Sequence, residues 1–136
     1  DPAGDYAFEV FAKAEAMKPS AKAALEAKAL QLTGGPTSPP PPAGRNVYAL
    51  QLTSGAADLF LAYCTNRRPI AKEAPEARAF ALPESLAVRA DYGLAVAPGA
   101  PVAAYRFAMW LLSPEAQAIL AEAGFAAPTL PSAAKP

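Results

Sequence analysis

The six-residue run Asp58-Leu59-Phe60-Leu61-Ala62-Tyr63 is short, nearly all apolar and bounded by turn-forming residues on both sides. A run of this kind predicts a strand that is buried on both faces, as in a parallel sheet. The short segments 30–32, 78–82 and 92–96 are further strand candidates. The sequence therefore predicts a sheet assembled from segments that are far apart along the chain.

Stretches with helical spacing of apolar residues separate these strand candidates. The predicted helices cover 1–17, 21–29, a segment that ends near Thr53, 101–112 and 113–123. In the last of them, Ser113 suits the N-cap, Pro114 the first helical position, and Gly124 the C-terminal stop. Because strands alternate with helices, the sequence predicts an α/β fold with a mainly parallel sheet.

The segment 33–44 interrupts this alternation with the run Pro39-Pro40-Pro41-Pro42. Consecutive prolines favour a stiff, extended backbone and donate no backbone hydrogen bonds. The preferred interpretation is a stiff surface loop. The alternative is a ligand for a partner module that recognises polyproline helices.

Composition and charge exclude several classes of function. The 12 basic and 12 acidic residues cancel, which argues against a nucleic-acid or anionic-membrane surface. No apolar run approaches the roughly 18 residues that span a bilayer. The chain has no histidine, which removes His-based triads and the common His-containing zinc sites. Cys64 is interpreted as a small buried residue rather than a nucleophile, so we expect a protein that is not an enzyme and uses no cofactor or directly bound metal.

An anion-binding site requires fewer specialised side chains than a catalytic site does. The start of a helix offers free backbone N–H groups and a partial positive charge. Two predicted helix starts carry small residues, Asp1-Pro2-Ala3-Gly4 and Ala43-Gly44-Arg45-Asn46. Tyr63 is the last residue of the predicted strand 58–63. Parallel sheets bind their ligands at the carboxyl ends of their strands. Taken alone, Tyr63 is better explained as a tyrosine at the edge of the core.

In combination, these segments resemble the molybdate-binding periplasmic proteins of ABC importers. The segment 1–6 is similar to the Pro-Ala-Gly helix start that faces the anion, and 58–63 is similar to the strand that ends in a ligand-contacting tyrosine. The run 107–125, with Ser113-Pro114-Glu115-Ala116-Gln117, resembles closing helices that many solute-binding proteins share. The resemblance extends from Asp1 to about Pro128 and departs from the family at the proline-rich loop.

The resemblance implies a periplasmic-binding-protein-like lobe whose mainly parallel sheet is flanked by helices. Residues 1–97 would form the second, ligand-binding lobe, residues 98–128 the C-terminal helices that return to the first lobe, and residues 129–136 a loose tail. The N-terminal half of the first lobe, which supplies serine hydroxyls in the family, would be missing. This chain is therefore expected to hold only part of the binding site.

The resemblance also implies the ligand and its contacts. Ala3 and Gly4 would bind through backbone N–H groups, Asn46 through its backbone or side chain, and Tyr63 through its hydroxyl. The ligand would be a small oxyanion, molybdate or tungstate, selected against sulfate by the size of the cavity. It would be captured in the periplasm, or otherwise outside the cytoplasm, and delivered to the membrane permease of an ABC importer.

Two other functions remain open from the sequence. The effector-sensing domain of a transcriptional regulator shares this bilobed architecture, and an upstream DNA-binding helix-turn-helix would favour it. An enzyme with Cys64 as its nucleophile is a third possibility, and rapid alkylation of a low-pKa thiol would favour that one.

Overall fold

The computed structural model describes residues 3–40 and 42–127. This part of the chain contains a 3₁₀ helix at Cys64–Asn66 and six α-helices. The α-helices are α1 (Ala3–Met17), α2 (Ala21–Glu26), α3 (Val47–Thr53), α4 (Arg67–Glu73), α5 (Val102–Leu111) and α6 (Pro114–Glu122). The chain divides into two compact units, one ending at Arg89 and the other starting at Ala90. The proposed tail at 129–136 lies outside the described residues.

The predicted α/β fold is wrong for the residues that the structure describes. The segments 30–32, 58–63, 78–82 and 92–96 have irregular backbone, and no β-strand occurs in the described ranges. Leu59, expected to be buried, is 74% exposed. The physical reason is that an apolar run specifies burial only, whereas a strand also needs neighbouring segments that complete its backbone hydrogen bonds. Those pairings do not form here.

Segment 58–63 is held by ring contacts instead of a hydrogen-bond ladder. The ring of Phe60 lies 4.7 Å from the ring of Tyr48 in α3, measured between centroids, with a tilt of 44°. At the end of the segment, the ring of Tyr63 contacts the ring of Tyr6 in α1. The segment therefore connects the packing of α3 with that of α1 through its side chains.

Helix α1 follows the predicted amphipathic pattern. Val10 and Phe11 are buried, and Tyr6 and Ala14 on the same face are half-buried. Met17, which helical spacing places on this face, is 61% exposed, and the Ser85 hydroxyl lies 3.7 Å from its sulfur. Helix α1 packs against α2 within the first unit.

The turn between α1 and α2 is stabilised by Glu15. Its carboxylate accepts hydrogen bonds from the backbone N–H groups of Ser20 and Lys22, each at 2.9 Å. These bonds, that from Lys22 foremost, lower the pKa of Glu15 below the ordinary glutamate value. Ser20 itself has a φ of 68°, and its side chain makes no capping hydrogen bond. The start of α2 is thus capped by a carboxylate of the preceding helix.

Helices α3 and α4 pack against each other in the same unit. Ala49 in α3 and Ala74 directly after α4 are both completely buried. Helix α4 was not predicted, because residues 64–69 were interpreted as turn-forming residues that end the predicted strand. Pro69 is the third residue of α4, within the first turn, where the missing proline N–H would have no partner in any case.

The second unit contains the two closing helices, which confirm the prediction closely. The hydroxyl of Ser113 accepts a hydrogen bond from the N–H of Ala116, so Ser113 is the N-cap of α6. The side-chain nitrogen of the buried Gln117 donates to the carbonyl of Leu111 at 2.7 Å and joins α6 to the end of α5. Gly124 has a φ of 95° and ends α6 as expected. None of the helices described here is long and apolar enough to cross a membrane.

Candidate functional site

Ala3 and Gly4 are the first two residues of α1, as the anion-binding prediction requires. A Cβ atom built on Gly4 would meet nothing within 4 Å, so the backbone is open to approach at this point. Helix α1 has 15 residues, which align enough peptide dipoles to give its start a partial positive charge. Asp5, in the first turn, is exposed and brings a negative charge close to this helix start.

The structure brings Tyr63 to the same end of α1. The rings of Tyr63 and Tyr6 meet edge to face, with centroids 6.2 Å apart and planes at 79°. Tyr6 lies in the first turn of α1, three residues after Ala3. The Tyr63 ring therefore packs on a first-turn residue of the helix that begins with Ala3 and Gly4, although Tyr63 is far away in sequence.

Asn46 is the N-cap of α3, and its side-chain oxygen and backbone N–H are engaged within the protein. Its side-chain oxygen accepts hydrogen bonds from the N–H groups of Tyr48, at 3.1 Å, and Ala49, at 3.0 Å. Its own backbone N–H donates to the carboxylate of Glu73 at 2.7 Å. A ligand contact through this N–H would therefore require the displacement of Glu73.

Glu73 is the residue near the candidate site that the sequence analysis missed. Like Glu76, it lies in a polar stretch of the sequence, where solvated surface carboxylates are expected. In the structure it is the last residue of α4, half-buried, and its second oxygen accepts a hydrogen bond from Arg45 Nε at 2.7 Å. The Arg45 hydrogen bond, and then that from the Asn46 N–H, lower the pKa of Glu73. In the sequence, the opposite charges of Arg45 and Glu73 were the only indication that these two residues form a contact.

Cys64 is exposed at the start of the 3₁₀ helix, and the prediction of a buried cysteine is wrong. The thiol follows Tyr63 directly. It precedes Arg67 and Arg68 in the first turn of α4.

A comparison with protein families decides which class this chain falls into. A family of bacterial extracellular solute-binding proteins matches residues 1–126. The chain belongs to this family. Membership confirms the solute-binding resemblance and the extracytoplasmic setting in their general form, and it does not favour the transcriptional regulator.

The family member also has a curated relative. The protein named "Uncharacterized protein PM1146" from Pasteurella multocida (strain Pm70) is 33% identical to it over 95 residues. The match covers 70% of this chain and 39% of the Pasteurella protein, so the chain spans well under half the length of that relative. No solved structure matches this member of the family significantly.

Proposed function

We propose that the full-length protein captures molybdate or tungstate outside the cytoplasm and delivers it to the membrane permease of an ABC importer. The observation that carries this proposal is the position of the Tyr63 ring beside the first turn of α1, in a member of the extracellular solute-binding family. The helix start and the tyrosine are the two features that the resemblance to molybdate-binding proteins connects with the anion.

The chemistry of these groups suits a tetrahedral dianion. The first N–H groups of α1 point out of the helix without intrahelical partners, and the Tyr63 phenol is a further neutral donor. Hydrogen bonds to a charged partner contribute about 1.5–3 kcal/mol each, net of the water bonds that they replace, so several such donors together give tight binding. Neutral donors hold the ligand without reacting with it, which suits capture and release rather than catalysis.

We propose that Asn46 takes part through the amide nitrogen of its side chain. Its backbone N–H is bonded to Glu73, and its side-chain oxygen caps α3. The two capping bonds fix the plane of the amide group. A fixed amide loses little conformational freedom when it binds a ligand.

The proposed donors would surround only part of an anion. A buried dianion needs hydrogen bonds on every side, since burial with donors missing is costly. The chain matches only 39% of its Pasteurella relative. We therefore propose that other parts of the full-length protein complete the shell and set the cavity size that selects against sulfate.

Titration calorimetry of the full-length protein with molybdate, tungstate and sulfate tests this function. All three anions carry the same charge, so the comparison isolates the size of the cavity from electrostatic attraction. We expect tight binding of molybdate and tungstate and far weaker binding of sulfate. Equal affinity for sulfate, or binding of none of the three, would refute the assignment.

A further inference from the structure

The ring of Tyr6, which is part of helix α1, contacts the ring of Tyr63, which ends a segment of irregular backbone. Tyr6 lies on the inward face of α1, one turn before the buried Val10. Tyr63 ends the segment 58–63, which forms no strand in the described structure. Helix α1 therefore fixes the backbone of Tyr6. The backbone of Tyr63 is not fixed by the hydrogen bonds of a sheet.

Ring packing against Tyr6 is one contact of Tyr63 with α1. The edge-to-face geometry, 6.2 Å between centroids and 79° between planes, is a favourable arrangement for two aromatic rings. Such a pair restricts the two side-chain torsions of a tyrosine and with them the direction of its hydroxyl. The phenol oxygen of Tyr63 is rigidly attached to the ring that Tyr6 contacts.

We propose that Tyr6 is a positioning residue for the oxyanion site. Its ring holds the ring of Tyr63 beside the first turn of α1, so that the Tyr63 hydroxyl and the N–H groups of Ala3 and Gly4 act on the same ligand. Tyr6 works through its ring and not through its hydroxyl, and it makes no contact with the ligand. This inference rests on the proposed function and adds a residue that the sequence did not identify as part of the site.

The first test measures molybdate affinity of Tyr6 variants in the full-length protein. Tyr6→Phe keeps the ring and is expected to keep the affinity. Tyr6→Leu removes the ring and is expected to weaken binding about fivefold, the size of effect typical of one aromatic pair. If Tyr6→Phe weakens binding as much as Tyr6→Leu does, the hydroxyl is the important group and the proposal is wrong.

A double-mutant cycle separates positioning from general destabilisation. In a Tyr63→Phe background there is no hydroxyl left to position, so Tyr6→Leu should cause no further loss of affinity. A loss that simply adds to that of Tyr63→Phe would overturn the proposal. Melting curves check that each variant folds, and Tyr6→Met, which fills more of the ring volume, replaces Tyr6→Leu if the latter unfolds.

A measurement without ligand keeps this inference distinct from the proposed function. In protein labelled at tyrosine rings, Tyr6→Leu should shift the NMR resonances of the Tyr63 ring, and Tyr6→Phe should leave them close to their original positions. Unchanged Tyr63 resonances in Tyr6→Leu would overturn the positioning contact even when the wild-type protein binds molybdate. Absence of molybdate binding by the wild-type protein would instead refute the proposed function, and the ligand-directed part of this inference with it.

Discussion

The carboxylate of Glu73 accepts a hydrogen bond from the backbone N–H of Asn46 at 2.7 Å, across 27 residues of sequence. The same carboxylate accepts a second one from Arg45, so a single side chain connects the end of α4 with the residues that begin α3. A charge-assisted pair of hydrogen bonds of this kind is stronger than two neutral ones. The start of α3 is therefore fixed by α4 as well as by its own N-cap.

Replacing Glu73 should loosen this connection. Glu73→Gln retains the size of the side chain but removes the charge that attracts both donors, and we expect a lower melting temperature. Glu76→Gln, an exposed carboxylate three residues away, is the matched control and should leave the melting temperature close to that of the wild type. Equal melting temperatures for both variants would show that the Glu73 contacts contribute nothing measurable.

The lowered pKa of Glu73 predicts how this contribution depends on pH. Its pKa is lower in the folded protein than in the unfolded chain, so the contribution is fully present above the ordinary glutamate pKa. It is lost as the pH falls through the lower pKa of the folded state. Urea unfolding should therefore show a stability gap between wild type and Glu73→Gln that narrows on acidification. Glu15, whose pKa is also lowered, titrates in both proteins and cancels in the difference.

Local signals in the sequence sufficed for most of the helices. The Ser113 cap, the proline after it and Gly124 define α6 within a residue or two. Gly55, with a φ of 72°, follows the end of α3 at Thr53, as predicted. These signals are reliable because capping and left-handed glycine involve only residues that are neighbours in sequence.

The strands could not be predicted correctly from the same kind of signal. Leu59 belongs to a run that was expected to be buried, and Phe80 belongs to a further strand candidate. The two residues are 74% and 83% exposed. Apolar composition is a property of the run, but strand formation depends on partners elsewhere. The contact of Glu73 with Asn46 also depends on a partner that is distant in sequence. The approach of Tyr63 to α1 was expected only from the family resemblance.

Ser20 offers a position where the protein is expected to gain stability. It adopts a left-handed conformation, with a φ of 68°, and its side chain makes no capping bond. This conformation costs an L-residue roughly 1–2 kcal/mol, and glycine adopts it freely. Ser20→Gly should raise the free energy of unfolding by up to about 1 kcal/mol after the greater freedom of glycine in the unfolded chain is subtracted.

Ser54 provides the control for this change. It has a φ of −80° in the C-cap of α3, so glycine relieves no strain there. Ser54→Gly should leave stability unchanged or lower it. A decrease in stability for Ser20→Gly, measured by urea unfolding, would contradict the strain argument.

The surface of α5 predicts the behaviour of the 136-residue chain on its own. Six large apolar or aromatic residues of α5 and its C-cap are exposed: Val102, Tyr105, Phe107, Met109, Trp110 and Leu112. Exposed apolar patches of this kind promote association. We expect residues 1–136 alone to self-associate in sedimentation experiments. Met109→Lys should reduce this association, and Ala23→Lys, which adds the same charge on α2, should not; a monodisperse monomer would contradict the expectation.

The molybdate affinity of Tyr63→Phe in the full-length protein tests the central claim most directly. The substitution keeps the ring against Tyr6 and removes one donor, so the protein should remain folded. Loss of a hydrogen bond to a charged ligand should weaken binding about tenfold to a hundredfold. Tyr48→Phe, which changes a tyrosine packed on Phe60, is the control and should bind as the wild type does. Unchanged affinity in Tyr63→Phe, with an unchanged melting temperature, would remove Tyr63 from the site and contradict the account.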